Sequence, residues 1–195
     1  MAAFEVAQTV GGDDIAATLD AAGYATITIG ATSGDGRISQ DYDHLYLTFS
    51  SRNGYSAYFQ YLKYEFNADN SNLVYSYTTL YAQTSTVYSA KENPGDGAPR
   101  GITGSYCGSN SLEAGTFSTN TLWIPHYSNT SNFKTTFGTG MIPNTSNTDS
   151  QYRADITHGL WEEPDAITQI HLKPGALGGE FQQYTSYVLY GITGA

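Results

Sequence analysis

The chain has 195 residues, a formal charge of −10 and a single cysteine. Eight basic residues against eighteen acidic ones leave no electrostatic footprint for nucleic acid or an anionic membrane surface, and no apolar run approaches the roughly 20 residues of a membrane span. Only 13% of residues are charged and seventeen are Tyr; with abundant Thr, Ser, Asn and Gly, this composition suits pleated strands and excludes an all-helical protein.

The elements follow in chain order. Phe4 and Val6 alternate with polar neighbours in an opening strand-like stretch. Asp13 at an N-cap position and Gly23 past the end predict a short helix over 13–22, so residues 1–22 are expected to form an N-terminal arm with that helix. Residues 23–195 are expected to form one β-sandwich domain. Ile27 and Ile29 alternate with Thr26 and Thr28, and Leu45, Leu47 and Phe49 face away from His44, Tyr46 and Thr48. Tyr55, Tyr58, Tyr61 and Tyr64 are spaced by three, but Phe66-Asn67-Ala68-Asp69 closes like a hairpin, which favours a turn and then a strand from Phe59. In that strand Leu62, Tyr64 and Phe66 are expected to face opposite to Tyr61, Lys63 and Glu65. Further strands are predicted over 75–81, 86–90, 101–107, 116–127, 133–137, 152–161, 166–172 and 184–192. Turn chemistry separates them, as in Ser33-Gly34-Asp35-Gly36 and Asn93-Pro94-Gly95-Asp96-Gly97. The expected fold is therefore all-β: an antiparallel, jelly-roll-like sandwich with at most one short helix.

Candidate chemistry is sparse. Glu162, Glu163 and Asp165 beside Trp161 resemble the acid pair of a glycosidase, but Pro164 interrupts them and adjacent acids point apart, so a solvated turn is expected. Asp13, Asp14, Asp35, Asp41 and Asp43 lack the order of a calcium loop. Four scattered His and one Cys fit no zinc spacing, and no nucleophile elbow is present. Cys107 is expected to pack as a small apolar residue. The sequons at Asn129 and Asn144 are expected by chance in so Asn-, Ser- and Thr-rich a chain. The opening Met1-Ala2-Ala3-Phe4 has no basic or apolar leader region, and the lone cysteine fits assembly in a reducing cytoplasm. No cofactor, metal or catalytic residue is predicted, and the chain is read as a non-enzyme. The remaining signal is tyrosine, which buries large area at low entropic cost while its hydroxyl tolerates water. Tyr46 and Tyr61, on the outward faces of their strands, and Phe4 and Val6 in the opening strand are the expected partner-binding residues.

Three stretches taken together point to a family. They are Asp43-His44-Leu45-Tyr46-Leu47-Thr48-Phe49-Ser50-Ser51, then Glu65-Phe66-Asn67-Ala68-Asp69-Asn70-Ser71-Asn72 running into Tyr75-Ser76-Tyr77, then Ala166-Ile167-Thr168-Gln169-Ile170-His171-Leu172 with Leu189-Tyr190-Gly191-Ile192 near the end. Over roughly residues 43 to 192 the chain resembles virion structural proteins of tailed phages, particularly cyanophage-type phages of aquatic bacteria. Ala68 stands where a glycine is usual before the Asp. The resemblance implies a jelly-roll-like sandwich on the outside of the particle, with no catalytic residues. The expected function is capsid decoration: a cement protein made in the host cytoplasm that binds the major capsid protein on the outer shell surface. A homotrimer is expected, with a dimer as the alternative state. The alternative function is a receptor- or glycan-binding module of a tail fibre or spike.

Overall fold

The computed structural model describes residues 3–10, 18–19, 25–30, 38–71, 73–94, 101–143, 152–175 and 179–194. Within them lie thirteen strands and no helix: β1 (Ala3–Val10), β2 (Thr18–Leu19), β3 (Ala25–Ile29), β4 (His44–Ser51), β5 (Phe59–Phe66), β6 (Tyr75–Gln83), β7 (Thr86–Glu92), β8 (Ile102–Gly108), β9 (Ser118–Pro125), β10 (Lys134–Ile142), β11 (Arg153–Trp161), β12 (Ile170–Pro174) and β13 (Ser186–Thr193). They form an eight-stranded sheet, β1-β13-β4-β9-β10-β11-β6-β7, packed on a five-stranded sheet, β2-β3-β12-β5-β8. Every strand pairing is antiparallel. The chain is a β-sandwich.

The winding has a simple core. With the β6–β7 and β10–β11 pairs and the two-residue β2 set aside, eight principal strands remain. In chain order they lie 1-8-3-6 in one sheet and 2-7-4-5 in the other. The two set-aside pairs extend the larger sheet beyond β9, where the smaller sheet has already ended at β8.

Alternation decides which face each principal strand buries. Leu45, Leu47 and Phe49 of β4 are buried while their neighbours are half-buried, as the period of two predicts. One cluster of apolar side chains joins both sheets, among them Phe66, Leu122, Ile170 and Leu189. Its largest member, Trp161, packs against Phe66 at a centroid distance of 5.6 Å and stacks with Tyr75 at 6.5 Å. Its indole N–H donates to Asp69 Oδ2 at 3.0 Å, and the Tyr75 hydroxyl accepts from the Phe66 N–H at 2.9 Å. The turn after β5 is thereby clamped to the core.

Several sequence expectations change in the structure. Thr18 and Leu19, placed in a helix by their cap signals, instead pair with Thr26 and Ala25; the rest of 11–24 lies outside the described residues. The opening stretch, expected as an arm, is an edge strand: β1 runs antiparallel to β13 from Ala3 opposite Thr193 to Val10 opposite Tyr187. The outer backbone edge of β13 supplies its ladder. In β5, Lys63 and Glu65 are as buried as Leu62, Tyr64 and Phe66. Glu65 is paired with Lys173 at 2.5 Å, and Glu92 of β7 approaches Lys63. Residues 166–169 are not strand. They are held as an irregular segment by Asn67, whose Nδ2 donates to the Ala166 carbonyl at 2.8 Å and whose Oδ1 accepts from the Thr168 N–H at 2.8 Å. Asn67 and Ala68 take φ of 53° and 57°, so this turn is left-handed without a glycine in it.

Replacing Trp161 by Ala is expected to destabilise the sandwich by about 3–5 kcal/mol, read by chemical denaturation. A loss below about 1 kcal/mol would show that the Trp161–Tyr75–Phe66 cluster is not the packing centre described here.

Candidate functional site

The extended half of the large sheet inverts the usual polarity. In β10 the buried positions are Lys134, Thr136, Gly138, Gly140 and Ile142, while Phe137 and Met141 point outward, 48% and 57% exposed. In β11 the buried positions begin with Arg153, Asp155 and Thr157, while Ile156 faces solvent at 49%. Leu80 of β6 and Val87 of β7 are likewise exposed. Antiparallel register gathers these side chains: Thr139 is opposite Ile156, Ile156 opposite Leu80, Met141 opposite Ala154, and Ala82 opposite Val87. At one end of the patch a shallow hollow opens beside Ala82, Met141 and Ala154, with Tyr152 and Arg153 also in its wall.

Polar inward positions are possible because they meet one another over β8. Arg153 lies between the rings of Tyr106 and Tyr81, its guanidinium carbon 3.3 and 3.4 Å from their centroids. This is a cation–π sandwich around a buried guanidinium. Two residues on, Asp155 Oδ1 accepts from Ser105 Oγ at 2.9 Å, and Ser105 Oγ also contacts Asn120 Oδ1 at 2.5 Å. Asn120 Nδ2 donates to Ser118 Oγ at 3.1 Å. Gly140 completes the cluster, since a Cβ there would fall 1.6 Å from Ser105 Oγ. Burial holds the Asp155 carboxyl up at about 6, against the opposing pull of its Ser105 hydrogen bond and of Arg153.

Toward β13 the same outer face becomes aromatic and hydroxylic. Tyr190 is opposite Tyr46, Tyr46 opposite Trp123, and Trp123 opposite Phe137, so one row of aromatics crosses four strands. Tyr46 lies 6.3 Å from Tyr190 and 6.5 Å from Trp123 between ring centroids, and His44 lies 5.1 Å from Trp123. The next row is Thr48, Thr121 and Thr139, with the last two hydroxyls 2.8 Å apart. From β13 through β4, β9, β10 and β11 to β6, the outward positions are Ser, Thr, Ala, Pro, aliphatic, aromatic or His. The first Lys, Arg, Asp or Glu on this face is Lys91 in β7. A chain with eighteen acidic residues thus presents a broad face with none of them.

Three of the four predicted contact residues fall on neighbouring strands at one end of the large sheet, and Tyr61 lies apart. Tyr46 lies in the aromatic row. Tyr61 is on the smaller sheet, 47% exposed, its ring 4.9 Å from Tyr106. Phe4 and Val6 pair through their backbones with Ile192 and Tyr190, which brings β1 beside the row that holds Tyr46. The other candidates separate too. Cys107 is buried, and burial pushes its thiol up to about 12 despite hydrogen bonding, so it is not a ready thiolate. Asp41 accepts from Ser39 Oγ at 2.6 Å, Asp43 accepts the Gly194 N–H, and Asn129 Oδ1 caps its own turn through the Ser131 N–H at 2.7 Å. Asp13, Asp14, Asp35 and Asn144 lie outside the described residues. Among the described residues no group of three His, Cys, Asp or Glu is placed to hold a metal ion.

Sequence reasoning missed Phe137, Met141, Ile156 and Leu80, and the buried Arg153 and Asp155. The signal lay in plain sight: on β10 and β11 glycine, threonine and charge occupy one face, where a sandwich core would need volume. Compared with known proteins, the chain matches no family model, no curated protein and no solved structure.

The raised Asp155 carboxyl makes stability pH-dependent. Between the ordinary value of 3.8 and about 6, the folded chain holds a proton that the unfolded chain releases, so this residue's contribution falls as pH rises through that window. Asp155→Asn removes the effect. The variant should gain up to about 3 kcal/mol on the wild type between pH 4 and pH 6, read as diverging thermal midpoints; parallel midpoints would refute the assignment.

Proposed function

We propose that the chain is a virion structural protein of the capsid-decoration type, a cement protein that binds the outer surface of a phage head through the outward face of its larger sheet. The observation that carries this reading is the inverted polarity of β10 and β11. A contiguous exposed apolar area on a water-facing sheet is stabilised when a second surface removes it from water. The surrounding Ser and Thr positions supply the polar rim of such a contact.

Two further features support it. The 1-8-3-6 over 2-7-4-5 order of the principal strands supports a jelly-roll reading of the sandwich, an architecture that capsid components use. The resemblance of residues 43 to 192 to tailed-phage virion proteins points the same way. The acidic balance of the chain suits a position away from packaged DNA, whose phosphates attract basic partners. The partner is then the major capsid protein, and the role is mechanical: bridging neighbouring coat subunits so that opening the shell must also break these contacts.

The test is binding of purified protein to capsids that lack it, with the density located by electron microscopy. Ile156→Glu and Phe137→Glu should each weaken binding by about 100-fold or more, because a carboxylate would be desolvated in the centre of the contact. Tyr61→Ala, on the opposite sheet, should bind like the wild type. Equal binding by all three variants would remove the proposed face. Failure to bind capsids, together with attachment to host cells that added polysaccharide abolishes, would overturn the decoration reading in favour of a tail-borne glycan-binding module.

A further inference from the structure

Beyond the face assigned to the shell, the sheet edges offer a second contact, toward the protein's own copies. The sandwich has four sheet edges among the described residues. β8 is buried along its whole length beneath β10 and β11, and β2 offers only two residues. β1 carries an irregularity between Val6 and Gln8, the kind of bulge that spoils edge pairing. β7 differs from all three. It has seven residues, Thr86-Val87-Tyr88-Ser89-Ala90-Lys91-Glu92, with no proline and an unbroken register to β6, and its first six residues are exposed.

The hairpin register shows which backbone groups of β7 are free to pair outward. Gln83 and Thr86 flank the two-residue turn Thr84–Ser85, with Thr84 at φ 57°. In such a hairpin the flanking pair exchanges hydrogen bonds and the pairs alternate from there. Thr86, Tyr88, Ala90 and Glu92 therefore direct their N–H and C=O groups toward β6. Val87, Ser89 and Lys91 direct theirs away from the sheet. A strand added at this edge meets three consecutive donor–acceptor positions.

We infer that this edge pairs with the same edge of a second copy, antiparallel about a two-fold axis at Ser89. That register sets Ser89 against Ser89 and Val87 against Lys91 of the second copy, so all the outward groups of both strands are satisfied. On the reverse side the large Tyr88 falls opposite the small Ala90, and Thr86 opposite Glu92. No two like charges are opposed, although the chain as a whole carries −10. The outward faces of the two large sheets become one surface across the join, with Val87 beside Ala82 and Leu80 opposite Ser89 within each copy, and Ser89 and Lys91 of both copies form a polar seam at its centre. The interface is isologous and closes at two. The assembly is thus a dimer that doubles the apolar face offered to a shell, rather than the trimer expected from the resemblance.

Sedimentation of the full chain over a concentration series, without capsids, tests this separately from the decoration reading. The wild type should reach twice the 21.1 kDa protomer mass by about 100 μM. Ser89→Pro deletes an outward N–H without touching a bond to β6 and should weaken the dimer about tenfold or more, with an unchanged circular-dichroism spectrum. If that variant fails to fold, the Val87 pair decides. Val87→Lys opposes Lys91 of the second copy and should dissociate the dimer, while Val87→Glu opposes the same lysine with opposite charge and should retain it. A monomer throughout the series, a trimer, or equal behaviour of Val87→Lys and Val87→Glu would each overturn the inference. Capsid binding by a monomeric wild type would overturn this pairing and leave the decoration reading standing.

Discussion

Eight strands cannot be covered by five, and how the uncovered strands are held is the constraint on which the remaining structure depends. Among the described residues, the large sheet past β9 is faced mainly by the single strand β8, which packs beneath β10, β11 and β6, and by Phe66 of β5 at its Trp161 end. One strand cannot supply the volume for a hydrocarbon core against three. The chain uses planar and hydrogen-bonding groups instead: the Arg153 guanidinium between two tyrosine rings, and the Asp155, Ser105 and Asn120 cluster. The seam is incompletely paired: Arg153 Nε and Nη2 and Asp155 Oδ2 are buried without a hydrogen-bond partner among the described residues, and an orphaned buried group costs about 1–3 kcal/mol. Its alternation with the outward positions then fixes what solvent sees. With Arg, Asp, Thr and Gly turned inward, Phe137, Met141, Ile156 and Leu80 are turned out.

This origin explains why so much of the fold was legible in the sequence while the functional face was not. β4 reads as a strand with one buried side because Leu45, Leu47 and Phe49 alternate with polar residues, and the structure follows that pattern. β10 and β11 also alternate, but the assumption that the apolar side faces the core reverses them. Period two distinguishes the two faces of a strand without saying which is covered. The same limit separates Tyr46 from Tyr61. Both are outward in their own strands, yet the strands belong to different sheets, and sheet membership is set by long-range winding. β5 hid its burial for a related reason, since Lys63 and Glu65 look like a solvent face until Lys173 and Glu92 are brought beside them. The segment 166–169 read as strand from its Ile and Thr content, yet Asn67, ninety-nine residues from Ala166 in the chain, holds it in another conformation.

The functional reading rests on surface chemistry and has no catalytic component. Of the histidines only His44 and His126 meet, at 4.7 Å between ring centroids, and among the described residues neither belongs to a group of three possible metal ligands; the other side chains that converge on the face are apolar, hydroxylic or aromatic. Broad faces of this kind gain affinity from area and complementarity, with a few central side chains dominating. Freedom from carboxylates matters as much as apolarity here. An acidic protein approaching any acidic partner meets repulsion over most of its surface, and the charge-free side of the large sheet is the direction from which close approach costs least.

The pairing of β1 with β13 has a consequence for the order in which the chain can fold. Ala3 meets Thr193 across nearly the entire sequence, and the β4–β13 ladder closes a loop of comparable span. Contacts of such sequence separation carry a large loop-closure cost and place a protein among slow folders. The β6–β7 hairpin and the β9–β10 ladder, on either side of β11 in the sheet, are far more local and carry a smaller loop-closure cost. A ribosome-bound chain can therefore form the region around β6 to β11 early, but the edge of β13 acquires its partner last. Mutations in β1 should accordingly act on unfolding rate more than on folding rate, as expected for a strand that docks after the barrier has been crossed.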